Sequence, residues 1–498
     1  MEPYESYIPP TKPKPLFPTE AKELFFALGC LISGLLLVNC IYAGGFQLGF
    51  AIAAILNIVL GAGYLLSRRC TLTGYNLTIL ALCILIAGSF ARADDSFVKF
   101  VMICFLLVGT NLGFCLLAGK NRRDPGTASS LKDAGDTLFL LGFGQMPTAT
   151  RSLSDTLRNG SSVGRKSGAI LLGLCLCVPV LAILIPLLMR ADAAFEALLD
   201  HAPSISFREI FNTLLFGILF AIFQYSRGTA LKHHTAAPLA PKVRRGLSPL
   251  TVNTVLCSVC LLYGVYLFSQ LSYFIGGFAG LLPQEYTLAD YARRGFFEMA
   301  MICAINLGII ILSLSLASRE HRSPLSTRLL CLLVGIATMF FVASASAKMF
   351  LYIASFGLTR LRVLTQVIMC FLGLVTVFIC IWLFVPKMPY MKTIILTALI
   401  IGALVSWTDI DTQVAKYNVD AYLSGKMETI DTDHLRSLGN GATAHILRLA
   451  QEAEDTSVAY NARILLRKRQ TESDTDLRSW NYVNHETASL LQDYFAEK

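Results

Sequence analysis

The sequence predicts an all-α fold: a polytopic integral membrane protein with about eleven transmembrane helices and a small helical C-terminal extracytoplasmic domain. Three observations predict it. Charged residues make up only 15% of 498 positions while hydrophobic ones reach 54%, against the roughly 25% charge of soluble domains. The apolar residues gather in runs close to the ~20 positions that cross a hydrocarbon core. From Asp409 onward the runs stop, and short segments of helical periodicity separated by turn signals replace them.

In chain order, residues 1–23 are polar and proline-rich, with Pro3, Pro9, Pro10, Pro13, Pro15 and Pro18. They lack the basic start and short apolar core of a secretory signal, so they read as a cytoplasmic tail and Leu24–Ala43 as an uncleaved first span. Phe46–Leu66, Tyr75–Ala91 and Phe97–Ala118 complete a four-helix segment over 24–118. A cytoplasmic loop, 119–167, follows, in which Leu131–Phe143 reads as a short amphipathic surface helix. Gly168–Met189 and Ile210–Tyr225 bracket an outer loop within 168–225, and a linker occupies 226–249. Five spans then fill 250–408: Leu250–Gly280, Gly295–Ala317, Leu329–Ser355, Val363–Val385 and Met391–Trp407. In the tail, 409–498, helices are expected at Thr412–Leu423, His434–Leu438, Ala442–Glu454, Val458–Arg469 and Glu486–Phe495. Ile446, Leu449, Ala450 and Ala453 hold the spacing of one buried face, and Gly439-Asn440-Gly441 marks the turn before them.

Charge sets the expected orientation. With the N-terminus inside, the cytoplasmic segments carry 23 Lys and Arg, and the opposite segments before the tail carry 9, in line with the positive-inside rule. An odd number of spans then puts the tail outside, where it holds 15 acids and 10 bases. Basic loops beside anionic lipid account for the positive body of the chain. No basic stripe is interleaved with aromatics, so nucleic acid is not an expected partner. The expected partners are the lipid bilayer and a membrane or envelope protein.

Few motifs carry chemistry. Of 14 cysteines none follows Cys380, which excludes a disulfide framework in the tail. Cys257 and Cys260 form a lone CxxC inside an apolar run and lack the four ligands of a zinc site. His233 and His234 are adjacent and would project about 100° apart on a helix, a poor metal pair. No metal or other cofactor is expected. The spacing of a nucleophile–base pair or a phosphate loop is also missing, so no catalytic residue is nominated.

What remains is a convergence of charge. The stretch DYARRGFFEM places Asp290, Tyr291, Arg293, Arg294 and Glu298 at the expected outer mouth of one span. Lys348, at ~1.5 Å per residue from Leu329, reaches the same level; Arg360 and Arg362 begin the next span, and Gln366 lies one turn deeper. Charges inside a membrane tend to pair or to line a wet cavity. The cluster Glu298, Lys348, Arg360, Arg362, Arg294, Asp290, Tyr291 and Gln366 therefore reads either as a structural ion-pair belt or as an outward-facing pocket.

At these residues the chain resembles bacterial membrane proteins grouped as a domain of unknown function, family 4173, related to family 4153. The stretches that carry the resemblance are YTLADYARRGFFEM (Tyr286–Met299), ASAKMFLYIASFGLTRLR (Ala345–Arg362), AKYNVDAYL (Ala415–Leu423) and DLRSWNYVN (Asp476–Asn484). Phe356 departs from it, standing where tyrosine is expected. The resemblance implies a multi-span architecture with an outer tail and lends no catalytic residue. The leading expectation is a non-enzymatic binding or sensing component at the outer face of a bacterial envelope. The alternatives are a transporter, with Asn57, Asn111, Asn306 and Gln366 along a path, and an enzyme on a lipid-linked precursor using Glu298, Glu285 or Asp290.

Overall fold

A computed structural model describes residues 21–67, 70–92, 95–121, 125–127, 130–159, 207–233, 247–278, 296–317, 324–385, 387–469 and 476–496, with scattered positions between 180 and 190. Among these residues the secondary structure is entirely helical. Nine helices among the described residues are long and apolar enough to cross a membrane, and Gly74–Ser89 is a shorter apolar one. Each apolar run read from the sequence coincides with one of these helices, except Gly168–Met189, most of which lies outside the described residues, as does most of the loop that follows it.

The chain divides into two compact units, and the division cuts the third and fourth helices. The first unit contains α1 (Ala21–Gly44), α2 (Leu48–Leu66), the start of α3 (Gly74–Ser89) and the end of α4 (Ser96–Leu117). It also contains α5 (Ser130–Asp136), α6 (Met146–Asn159) and α7 (Phe207–His233). A π-helical turn, Thr137–Phe143, continues α5. Small residues let the long helices close. A Cβ on Gly34 would stand 2.7 Å from the Gly217 carbonyl, and one on Gly217 would stand 3.0 Å from the Leu35 Cα, so α1 and α7 approach backbone to backbone, as small residues permit in membrane bundles. Gly142 gives the same service to the π-turn, where a Cβ would meet the Phe223 ring at 2.2 Å.

The second unit contains the rest of α3 and α4 together with α8 (Pro249–Phe278), α9 (Phe296–Ala317), α10 (Leu325–Phe356), α11 (Arg360–Phe384) and α12 (Tyr390–Trp407). α10 is its axis. Cys331 and Val334 of α10 lie in one buried cluster with Leu256 of α8, Ile310 of α9 and Ile379 of α11. Nearer the other end, Phe341, Ala345 and Met349 of α10 cluster with Met299 and Cys303 of α9 and Met369 of α11. The faces turned away from this core stay apolar: Leu261 and Phe268 of α8 are 74% and 77% exposed. A helix apolar all round yet uncovered by protein finds its complement in lipid. The described cysteines are free thiols, and the Cys260 thiol simply meets the Leu330 carbonyl of α10 at 3.8 Å.

The tail obeys soluble rules. It contributes α13 (Ile410–Leu423), α14 (Thr432–Ser437), α15 (Thr443–Glu452), α16 (Thr456–Lys468) and α17 (Tyr482–Ala496) to the second unit. Asp409, Asp431 and Asp455 cap α13, α14 and α16 with their carboxylates, which fixes starts that apolar periodicity alone places a few residues late. Val414, Leu435, Ile446, Leu449 and Leu466 are fully buried between the helices; Ala453, expected on the same face, is the residue that ends α15. Arg469 closes the assembly. Its guanidinium donates to the carbonyls of Gly439 (2.7 Å), Leu435 (2.9 Å) and Leu438 (2.7 Å). The Arg469→Met variant strands those acceptors, each worth about 1–3 kcal/mol when left buried and unmade, so the tail should melt earlier by at least ~2 kcal/mol in a thermal unfolding experiment.

His445, half-buried in α15, provides a pH handle. Burial first, then Lys416 and Arg448, hold its pKa below the ordinary 6.5 against the opposing pull of Asp420. A histidine depressed in the folded state is protonated more readily when unfolded, so its stabilising share is complete above pH 6.5 and falls away as the pH drops towards its folded pKa. Melting temperature measured down from pH 7 should show this loss, and His445→Gln should flatten it.

Candidate functional site

The positions nominated from the sequence separate into distinct environments. Asp290, Tyr291, Arg293 and Arg294 lie outside the described residues. Glu298 stands in the first turn of α9 and is exposed. Lys348 is half-buried on α10, one residue before Met349, which shares a buried cluster with Met299, the neighbour of Glu298. Gln366 donates to the Ser346 carbonyl at 3.1 Å, tying α11 to α10.

Arg360 and Arg362 do the most. Arg360 opens α11 and sends its fork to Asp411 of α13, Nε to Oδ1 and Nη2 to Oδ2. The same group stands 3.3 Å from Asp95, just before α4, and donates to the Ser437 carbonyl at 3.2 Å. Asp411, only 4% exposed at its side chain, also accepts from the Gly439 amide at 2.6 Å. A carboxylate so buried needs donors on both oxygens, and a planar guanidinium supplies two in register. The tail is further pinned by Asn418, which exchanges two hydrogen bonds with Leu358 (2.7 and 2.9 Å), and by Tyr482, whose amide donates to the Ala91 carbonyl at 2.9 Å.

Arg362 turns the other way. Its guanidinium lies 4.2 Å from the centre of the Tyr352 ring, and Nη1 donates to the carbonyls of Phe356 (2.9 Å) and Gly357. Because the Phe356 main chain makes this bond, the missing tyrosine hydroxyl is not needed for it. Gly357 is obligatory: its φ is +74°, and a Cβ there would stand 2.6 Å from Asn418 Oδ1. Beside these groups is a cavity of about 170 Å³ walled by Phe356, Thr359, Arg362, Asn418, Met427, Ile430, Asp431 and His434. Among the described residues no carboxylate pairs with Arg362, and the buried Nε2 of His434 has no hydrogen-bond partner.

The amides offered as a transport path all bond to protein groups. Asn306 accepts from Tyr263 (2.5 Å) and donates to Thr338 (2.9 Å), linking α8, α9 and α10. Asn57 donates to Ala53 of its own helix at 2.7 Å, and Asn111 donates to Leu107 at 2.7 Å.

Sequence reasoning missed a buried charged group in the first unit. α7 continues past Tyr225 to His233, which carries Arg227 inward; it is 8% exposed. Its Nη1 donates to Asn111 at 3.1 Å, with the Phe114 and Phe223 rings 4.8 and 5.4 Å away. His233 meets Glu23 of α1 at 2.6 Å, both side chains being buried. Counting Arg227 as the start of a linker hid this, although no proline follows until Pro238. His234 lies outside the described residues, and no group of three or more metal-ligating side chains occurs among the described ones.

If the Arg360–Asp411 fork holds the tail, the pair should couple. A double-mutant cycle with Arg360→Met and Asp411→Asn, read by thermal unfolding, should give about 1–3 kcal/mol, between exposed and buried ion pairs. Arg360→Lys should not restore it, since an ammonium cannot present the paired donors.

No curated protein and no solved structure matches the chain. A family model does, over residues 35–449, and its description is a domain of unknown function, DUF4153. Of the two related families that the sequence resembles, the match is to 4153. With most of its length matched, this multi-pass membrane chain belongs to the DUF4153 family.

Proposed function

We propose that the protein is a non-enzymatic, outward-facing binding or sensing component of a bacterial envelope, and that its receiving surface is the joint between the tail and the head of α11. In this reading the N-terminus is cytoplasmic, eleven spans cross the membrane and the tail lies outside. The observation that carries it is the cavity beside Arg362. There a guanidinium without a carboxylate among the described residues, an exposed carboxylate (Asp431) and a buried imidazole nitrogen without a partner face one small space. Buried polar atoms are normally satisfied, so these favour a small polar ligand. Glu298, Lys348 and Arg360 belong to the surrounding charged belt, and Arg360 transmits strain between the ligand-bearing tail and the spans.

The test is thermal unfolding of the full chain against small carboxylates, phosphates and zwitterions. A ligand at one hundred times its Kd adds about 2.7 kcal/mol of stability. One of these classes should raise the melting temperature of the parent chain and leave Arg362→Met and His434→Gln unmoved. No shift with any class, or a shift that survives both substitutions, rejects the reading.

Transport is the second reading, and the buried Arg227 with Asn111 is what favours it, since an ionisable group inside a span is a functional site by default. It predicts flux in proteoliposomes that Arg227→Met abolishes.

A further inference from the structure

Within the second unit, α4, α11 and α12 enclose a groove of about 200 Å³ whose lining is wholly apolar, from Phe97 and Phe105 through Leu364 and Phe371 to Gly402 and Val405. Water does not fill such a space, because an ordered water needs two to four polar partners. The three helices are all long and apolar enough to span a membrane, so the groove opens among hydrocarbon.

Its depth is limited. Phe97 to Phe105 is about 12 Å of helix at 1.5 Å per residue, less than half of a ~30 Å hydrocarbon core. One end is marked as the interface. Phe97 lies two residues after Asp95, Leu364 lies one turn inside Arg360, and Val405 lies two residues before Trp407, which is 40% exposed and donates Nε1 to the Leu85 carbonyl at 2.9 Å. Tryptophan and paired charges belong at headgroup level. The groove therefore starts at a headgroup region and ends within one leaflet.

We infer that this groove is a binding site for one acyl chain of a phospholipid from that leaflet, seated between α4, α11 and α12 beneath the tail. Gly402 keeps it open. A Cβ there would stand 3.6 Å from the Phe105 ring, an ordinary contact, so alanine is accommodated whereas leucine projects into the chain's place. The inference is independent of the polar cavity beside Arg362, whose lining it does not share.

The test reconstitutes the full chain in phosphatidylcholine vesicles containing a phospholipid spin-labelled on its acyl chain, and counts the motionally restricted label per protein. The parent chain and Gly402→Ala should hold one restricted chain more than Gly402→Leu. An equal count in all three overturns the proposal. Should Gly402→Leu fail to accumulate, Ala398→Leu fills the same groove from the same helix and is read in the same way: loss of the restricted chain supports the site, and retention overturns it.

Discussion

The Arg360 guanidinium is the constraint on which the second unit depends. Asp411 begins the tail with a carboxylate that is almost fully buried, Asp95 ends the turn before α4, and the Ser437 carbonyl finishes α14. These acceptors come from three separate stretches of chain, and one side chain at the first position of α11 reaches them all. A buried carboxylate left alone is among the more expensive defects a fold can contain. The pairing therefore dictates where the tail sits as much as it rewards its being there, and the Asn418 and Gly357 contacts add register to what charge begins.

Much of the architecture is legible in the sequence because membranes impose a simple length and polarity rule. Where that rule holds, as in α9 or α12, expected and observed limits agree to about a residue at each end. It fails where a polar residue sits inside a helix for a local reason. Arg227 ends the apolar run but not α7, because Asn111 and two aromatic rings receive it. The candidate site shows the same division. Arg360 and Arg362 are found by their charge alone, yet their partners, Asp411 and the carbonyls of Phe356 and Gly357, depend on a chain path that no local pattern encodes. Asn418 and His434 were missed because an amide and an imidazole in a polar tail look like surface. The carboxylate caps and the turn at Gly357 are the signals that could have drawn notice to that corner.

Two ways of handling polarity coexist in this chain. Within the second unit Tyr263, Asn306 and Thr338 hand hydrogen bonds from helix to helix and end on a main-chain carbonyl. Within the first unit ionisable groups are buried with partial compensation, a single bond joining Glu23 to His233 while the second Glu23 oxygen has none. The former pattern stabilises packing. The latter joins the start of α1 to the end of α7.

Arg469 has a consequence for how the tail is made. The carbonyls it closes at Leu435 lie 34 residues earlier, so during synthesis α14 emerges long before its donor does. Until position 469 has left the ribosome and reached the tail's side of the membrane, the turn at Leu435–Gly439 is solvated and unfinished. Completion of the tail is thereby tied to the arrival of a single late residue, and a chain halted before it would present an open, protease-accessible corner rather than a docked appendage.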